Sequence, residues 1–203
     1  MTPDKVLDFW FAGWDDQAPL ANDDPLLVKW WQKTAANDQA IKGQFGDLHE
    51  AVAQGGHRDW AQSPRGLLAL VVVLDQFSRV IHRGSGRAFR CDRDARELTQ
   101  AALAKAWDRD LARIERAFLY MPLMHAEDRA AHRKALALFT GLAEEAEEAG
   151  ITRADYYRRI VASEQRHKEI VDRFGRYPHR NFPMERTSTP EELAFIRDED
   201  AGF

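Results

Sequence analysis

Eight apolar residues follow one another without a break from Leu67 to Leu74, and this run constrains the fold more than any other feature of the chain. A short, continuous and partly β-branched run is typical of a buried strand in a parallel sheet, but a buried helix produces the same pattern. Ser63-Pro64 just before it is a typical helix start, no glycine-rich phosphate loop follows, and no partner strand is evident. Because a sheet needs more than one strand, we interpret the run as a central buried helix.

Helix start and stop signals recur along the rest of the chain. Asp24-Pro25 pairs a capping side chain with a proline at the first helical position, and Asp92 is interpreted as a helix cap. Gly175 is a typical helix end, and Thr189-Pro190-Glu191-Glu192 has the Thr-x-x-Glu pattern of a capping box. No linker or low-complexity tract interrupts this order, so residues 1–203 are predicted to form a single all-α domain.

Composition narrows the classes of partner. The net charge of −4 argues against a dedicated nucleic-acid-binding protein, because neutralising phosphates needs a basic surface. No apolar run approaches the roughly 20 residues that span a bilayer, and the single cysteine, Cys91, cannot form an internal disulfide. We therefore expect a cytoplasmic protein that binds neither nucleic acid nor membrane. The sequence specifies no cofactor and no oligomeric state.

Four polar side chains occupy positions that the helical period assigns to the interior: Asp75, Glu115, Glu164 and His167. Burying a carboxylate without a partner costs several kcal/mol, so these groups should pair with one another, with arginine or with an ion. Glu164 and His167 form Glu-x-x-His, a motif that di-iron carboxylate bundles use twice. Here it occurs once, so these two are candidate metal ligands of an incomplete set, and a hydrogen-bonded structural pair is the alternative.

A second polar group surrounds His125. His125 and Asp128 could face the same way, and an aspartate can fix the tautomer of a histidine for acid–base chemistry. The alternative is that Asp128 decorates a helix N-terminus, where the helix dipole favours negative charge. That alternative explains the acid but not the histidine.

The segment from Phe174 to Asn181 is the most distinctive in the chain. A helix ends at glycine, and Arg176, His179, Arg180 and Asn181 follow within six residues, with a proline between them. One interpretation is an anion-binding loop, since polar residues on stiffened loops are frequent at functional sites. The other is that these donors neutralise a helix C-terminus and pair with buried acids such as Glu115 or Asp75.

Four motifs in the same order resemble the bacterial DUF924 family over essentially the whole chain. They are Val6-Leu7-Asp8-Phe9-Trp10-Phe11, Leu74-Asp75-Gln76-Phe77-Ser78-Arg79, Glu115 to Asp128, and Phe174 to Asn181. The resemblance implies a tetratricopeptide-like fold of packed antiparallel helical hairpins, and it implies no assigned function. The chain departs from the family pattern at Ser78, where proline is usual, and at Val80, where asparagine is usual.

Two classes of function remain open at this point. The first is a binding protein that holds a peptide or a small anionic ligand at a polar site formed by Gln76, Arg79, Arg176, His179, Arg180 and Asn181. The second is a small-molecule enzyme. Its acid–base groups would be His125, His167 and His179, with Asp75, Glu115, Asp128 and Glu164 orienting them. A third interpretation makes the same cluster a buried ion network that fixes helix register.

Overall fold

The computed structural model describes residues 1–21 and 23–197, and within them the secondary structure is helical, with no strand. The all-α prediction is confirmed. The α-helices are α1 (Pro3–Phe11), α2 (Pro25–Trp31), α3 (Ala35–Ala53), α4 (Pro64–Val71), α5 (Ser78–Ile81), α6 (Asp92–Ala104), α7 (Arg113–Met124), α8 (Arg129–Glu148), α9 (Ala154–Phe174) and α10 (Pro190–Arg197). Short 3₁₀ helices span Arg58–Gln62, Gly86–Phe89, Trp107–Asp110 and Pro178–Arg180. In this described part of the chain, no helix is both long and apolar enough to cross a membrane.

The apolar run is helical, as interpreted from the sequence. It begins in α4, whose N-cap Ser63 accepts a hydrogen bond from the Gly66 amide, and continues through a π-helical segment, Val72–Phe77, into α5. Every residue from Gly66 to Ser78 is buried, which explains why no polar face interrupts the pattern. A π-helical turn inside a longer helix is uncommon and is often found at functional sites.

The π-helical segment lies at the centre of an aromatic core. Phe77 packs edge-on against Trp10 of α1, with 5.4 Å between ring centroids, and lies 4.7 Å from Phe45 of α3. Trp10 also packs edge-on against Phe118 of α7, at 5.8 Å. These rings hold α1, α3 and α7 around the segment, so its polar residues are presented by a tightly packed element.

The C-terminal half consists of consecutive helices that pack against one another. Residues 125–128 connect α7 to α8, residues 149–153 connect α8 to α9, and α8 contacts both neighbours. Connections this short place successive helices side by side in antiparallel hairpins. At the end of the chain, the Thr189 amide donates to Glu192 Oε2 at 2.7 Å and the Glu192 amide donates to Thr189 Oγ1 at 3.2 Å. The capping box predicted there is confirmed.

The close approach of α4 to the preceding 3₁₀ helix requires a glycine. A Cβ atom at Gly66 would lie 2.1 Å from the carbonyl oxygen of Trp60, whereas one at Gly43 in α3 would meet nothing within 4 Å. We expect Gly66→Ala to lower the free energy of unfolding by about 1–3 kcal/mol, because backbone must move. Gly43→Ala should raise it by about 0.5–1 kcal/mol through helix propensity. Urea denaturation of both variants checks this, and changes of the same sign would contradict it.

Candidate functional site

Asp75 is the centre of the polar cluster. It lies in the π-helical segment, and its side chain is fully buried. Its Oδ1 accepts a hydrogen bond from His125 Nδ1 at 2.8 Å, and its Oδ2 accepts one from Gln76 Nε2 at 2.6 Å. The guanidinium of Arg79, one helical turn later, lies 3.2 Å from Oδ1. Both carboxylate oxygens are therefore satisfied, as a buried charge requires.

Asp92 extends this cluster to the C-terminal segment. Its carboxylate accepts two hydrogen bonds from Arg79, at 2.9 and 3.1 Å, and one from Arg180, at 3.0 Å. Arg180 also donates to the main-chain carbonyl of His125 at 3.0 Å. Asp92 forms no N-cap, because α6 begins at Asp92 itself after Cys91. The interpretation of Asp92 as a helix cap was therefore wrong, and the carboxylate instead bridges two arginines.

The charges in this cluster determine where the protons lie. Burial raises the pKa of Asp75, but the charge of Arg79 and the hydrogen bonds from His125 and Gln76 outweigh it and hold that pKa below its ordinary value. Burial and the positive charge of Arg79 lower the pKa of His125. At neutral pH the aspartate is therefore ionised and the imidazole is neutral. Its Nδ1–H donates to Asp75, so the lone pair is on Nε2.

His125 also lines a pocket of about 490 Å³ between α2, α7 and α9. Most of the other lining side chains are apolar or aromatic: Leu27, Trp31, Met121, Met124, Tyr156 and Ile160. The polar ones are Lys33, Arg159, Ser163 and His167. A pocket of this size, with an apolar lining and a few polar groups, is typical of small-molecule sites.

The pocket has a positive electrostatic character although the protein as a whole is acidic. Two cations, Lys33 and Arg159, line it, and no aspartate or glutamate does. Within residues 1–21 and 23–197, Arg159 forms no ion pair. A cationic, carboxylate-free pocket in a chain of net charge −4 favours an anionic ligand.

Several candidates from the sequence lie outside this cluster. Glu115 accepts a hydrogen bond from the Ala112 amide at the start of α7 and pairs with Arg65. Asp128 caps α8 by accepting from the amides of Ala130 and Ala131, at 2.7 and 3.0 Å, as the helix-terminus alternative expects. Neither carboxylate contacts His125, whose partner is Asp75.

The loop after α9 is held by contacts of its own. Arg176 donates to both oxygens of Glu192, at 2.6 and 2.8 Å, and Asn181 donates to Ser188 Oγ at 3.0 Å. The ring of His179 lies 5.5 Å from that of Tyr177, and burial lowers the pKa of His179 to about 4. Arg176 and Arg180 are thus already paired with protein carboxylates.

Glu164 and His167 do not pair with each other. Glu164 Oε1 lies 2.8 Å from Nδ1 of His132, and both side chains are fully buried. His167 Nδ1 donates to the Ser163 carbonyl at 2.8 Å, and burial lowers the pKa of His167 to about 3. In the described part of the chain, no group of three or more His, Cys, Asp or Glu side chains could hold a metal ion.

Sequence reasoning missed the partners that complete the site. His132 has the spacing of the apolar stripe on α8 and could have been found by the criterion that identified Glu164. Lys33 and Arg159 carry no such signal, because both side chains are exposed. Only the packing of α2 against α7 and α9 brings these two cations to one pocket.

Comparison with known proteins gives a family and a fold. A family model described as "Bacterial protein of unknown function (DUF924)" matches residues 6–200. The solved structure of a protein of unknown function from Agrobacterium tumefaciens is similar to this chain, with a TM-score of 0.78 and 31% sequence identity over 97% of each chain. No curated protein matches.

Proposed function

Since this chain belongs to the DUF924 family, whose function is unassigned, we propose from the site alone that it binds a small organic acid in the pocket between α2, α7 and α9. The observation that carries the proposal is the lining of that pocket, which is apolar over most of its surface, has two cations and lacks carboxylates. A ligand with an apolar body and one anionic group complements both properties.

The existing ion pairs of the cluster exclude three arginines as binding groups for the ligand anion. Arg79, Arg176 and Arg180 are bound to protein carboxylates, so a ligand anion would have to displace Asp92 or Glu192 to reach them. Displacing a buried carboxylate from its arginine leaves an uncompensated charge and costs several kcal/mol. Arg159 carries no such cost, and Lys33 lines the same pocket. We therefore assign the ligand anion to Arg159, at the pocket that Lys33 also lines.

The size of the pocket favours a small molecule over a peptide. A volume of about 490 Å³ is within the range of sites for single metabolites and drug-sized ligands. Met121 and Met124 on α7 suit such a site because unbranched, polarisable side chains adapt to ligands of different shape.

Calorimetric titration tests the proposal with two probes, octanoate and 3-phenylpropanoate, and their uncharged amides as controls. We expect the carboxylates to bind and the amides to bind more weakly. Arg159→Gln should weaken carboxylate binding by about fivefold, a loss that shrinks at high salt, because one partly exposed ion pair is worth about 1 kcal/mol.

The matched control is Arg133→Gln, which removes an exposed arginine on α8 that does not line the pocket. It should bind the carboxylates like the wild type. Equal binding of acids and amides, or an equal effect of the two arginine substitutions, would contradict the proposal.

A further inference from the structure

His125 differs from the other histidine that is paired with a buried carboxylate. Both ring nitrogens of His132 are bonded inside the protein, Nδ1 to Glu164 and Nε2 to the Ala126 carbonyl at 2.8 Å, and its side chain is fully buried. The His125 side chain keeps 15% of its surface exposed and lines the pocket. Within the described residues, its Nε2 accepts no hydrogen bond. The His132–Glu164 pair is thus enclosed by the protein, whereas the His125–Asp75 pair borders the pocket.

The residues around Asp75 fix the orientation of the His125 imidazole on its Nδ1 side. The carboxylate is held by Gln76 and Arg79, and Arg180 fixes the backbone of His125 by donating to its carbonyl. The ring therefore has a defined orientation, with Nδ1 towards the core and Nε2 on the opposite edge. A carboxylate that fixes one nitrogen so that the other can exchange protons is the arrangement used by acid–base histidines.

We propose that His125 is a general base and acid towards an organic acid bound in the pocket, with Asp75 as its positioning residue. This inference rests on the proposed function, because it takes the same pocket as the substrate site. The substrate class is an organic acid that carries a C–H bond made acidic by an adjacent carbonyl. Its carboxylate is held by Arg159, at the pocket that Lys33 also lines.

The step transfers one proton and balances within the site. The lone pair of His125 Nε2 forms a bond to the substrate proton, the C–H bond breaks, and its electron pair remains on the substrate as an enolate. The imidazolium that forms is stabilised by Asp75, which stays ionised. Return of the proton from Nε2 to carbon or to the enolate oxygen completes the cycle and restores neutral His125. No oxidant, metal or second substrate is needed.

The charged groups around His125 favour the basic form of the ring. Arg79 and Arg180 face it from α5 and from the 3₁₀ helix Pro178–Arg180, Asp75 and Asp92 balance them, and His167 faces it from α9. Burial and Arg79 lower the pKa of His125 despite the opposing effect of Asp75. A neutral imidazole at pH 7 is the form that a general base requires.

Nitrogen-15 NMR of the histidine rings tests the first half of the inference, with His125→Gln to assign the signals. In the wild type at pH 7 we expect His125 to carry its proton on Nδ1 and to have an unprotonated Nε2. In Asp75→Asn the amide can donate to Nδ1, so the proton should move to Nε2, while the His132 signals stay unchanged. A wild-type His125 ring protonated on Nε2 would overturn the inference, whether or not octanoate binds.

Proton exchange tests the second half, with 2-oxooctanoate in deuterium oxide as the probe. We expect the wild type to exchange the protons beside the ketone about a hundredfold faster than His125→Gln, the scale of general-base catalysis. The wild-type rate should fall as the pH drops through the lowered pKa of His125. Asp75→Asn should be slowed while it still binds octanoate.

The outcomes separate this inference from the proposed function. If octanoate binds and exchange is equal in the wild type and His125→Gln, the general base is wrong and the binding site stands. If octanoate does not bind to folded wild-type protein, both fail. Octanoate binding by His125→Gln and a melting temperature close to that of the wild type show that the variant is folded, so a loss of exchange then reports chemistry.

Discussion

Replacement of Asp75 by alanine is expected to lower the free energy of unfolding by about 3–5 kcal/mol, the usual cost of removing one partner from a buried ion pair. The side chain is fully buried, and its removal leaves His125 Nδ1 and Gln76 Nε2 without their acceptor. Arg79 keeps Asp92 but loses its second carboxylate. Urea denaturation at pH 7, analysed with one m-value for the wild type and the variant, measures the change.

A surface ion pair provides the matched control. Glu97 pairs with Arg93 one turn away on α6, and both side chains are more than half exposed. Glu97→Gln should change the free energy of unfolding by about 0.5 kcal/mol or less. If Asp75→Ala were as mild as Glu97→Gln, the central position of Asp75 in this cluster would be refuted.

Acidification from pH 7 to pH 5 is expected to lower the free energy of unfolding by about 2 kcal/mol for each of three histidines. Burial holds the pKa of His49 at about 4, of His167 at about 3 and of His179 at about 4 in the folded protein. In the unfolded chain each titrates near 6.5. Below that pH the unfolded chain binds protons that the folded chain excludes, so stability present above pH 6.5 is lost as the pH falls towards 4.

One carboxyl group acts in the opposite direction. Burial raises the pKa of Glu164, so its protonation on acidification favours the folded state and offsets part of this loss. Urea denaturation between pH 5 and pH 7 measures the net change in the free energy of unfolding. His167→Gln removes one of the titrating groups and should reduce the loss by about 2 kcal/mol. A protein equally stable at both pH values, or a variant with an unchanged loss, would contradict this account of the histidines.

The helical fold could be predicted from the sequence because its signals are local. Ser63-Pro64, the capping box at Thr189 and the glycine after α9 each act within a few residues, and all three were interpreted correctly. The π-helical turn could not be predicted. Its hydrogen-bond pattern depends on how α1, α3 and α7 pack around Val72–Phe77, and the residues themselves fit an α-helix equally well.

Only part of the candidate site could be predicted, because helical phase is a local signal and side-chain pairing between helices is not. Helical phase marks Asp75 and Glu164 as buried, but phase does not identify a partner on another helix. For His125 the sequence left four carboxylates open as partners, nearby Asp128 and Asp75 among them, and the one it contacts, Asp75, is 50 residues away in sequence. Glu164 was grouped with His167 on its own helix, yet it is bonded to His132 of α8. Long-range pairings of this kind are set by tertiary packing.

The ion pairs and the pocket involve different residues of the polar cluster. Arg79, Asp92 and Arg180 tie α5, α6 and the C-terminal segment together and leave their charges satisfied. His125 connects that network to a pocket whose own cations are not among these arginines. The proposed ligand site and the ion network therefore use different residues of the cluster.

Carbon-13 NMR of the methionine methyl groups is the most direct test of the proposed pocket, because the chain has four methionines and two of them line it. Met121 and Met124 are in the pocket, whereas Met1 and Met184 are not among its lining residues. Titration with octanoate should shift the signals of Met121 and Met124 in a saturable manner and leave those of Met1 and Met184 in place. Unchanged Met121 and Met124 signals, or equal shifts of all four, would contradict the account.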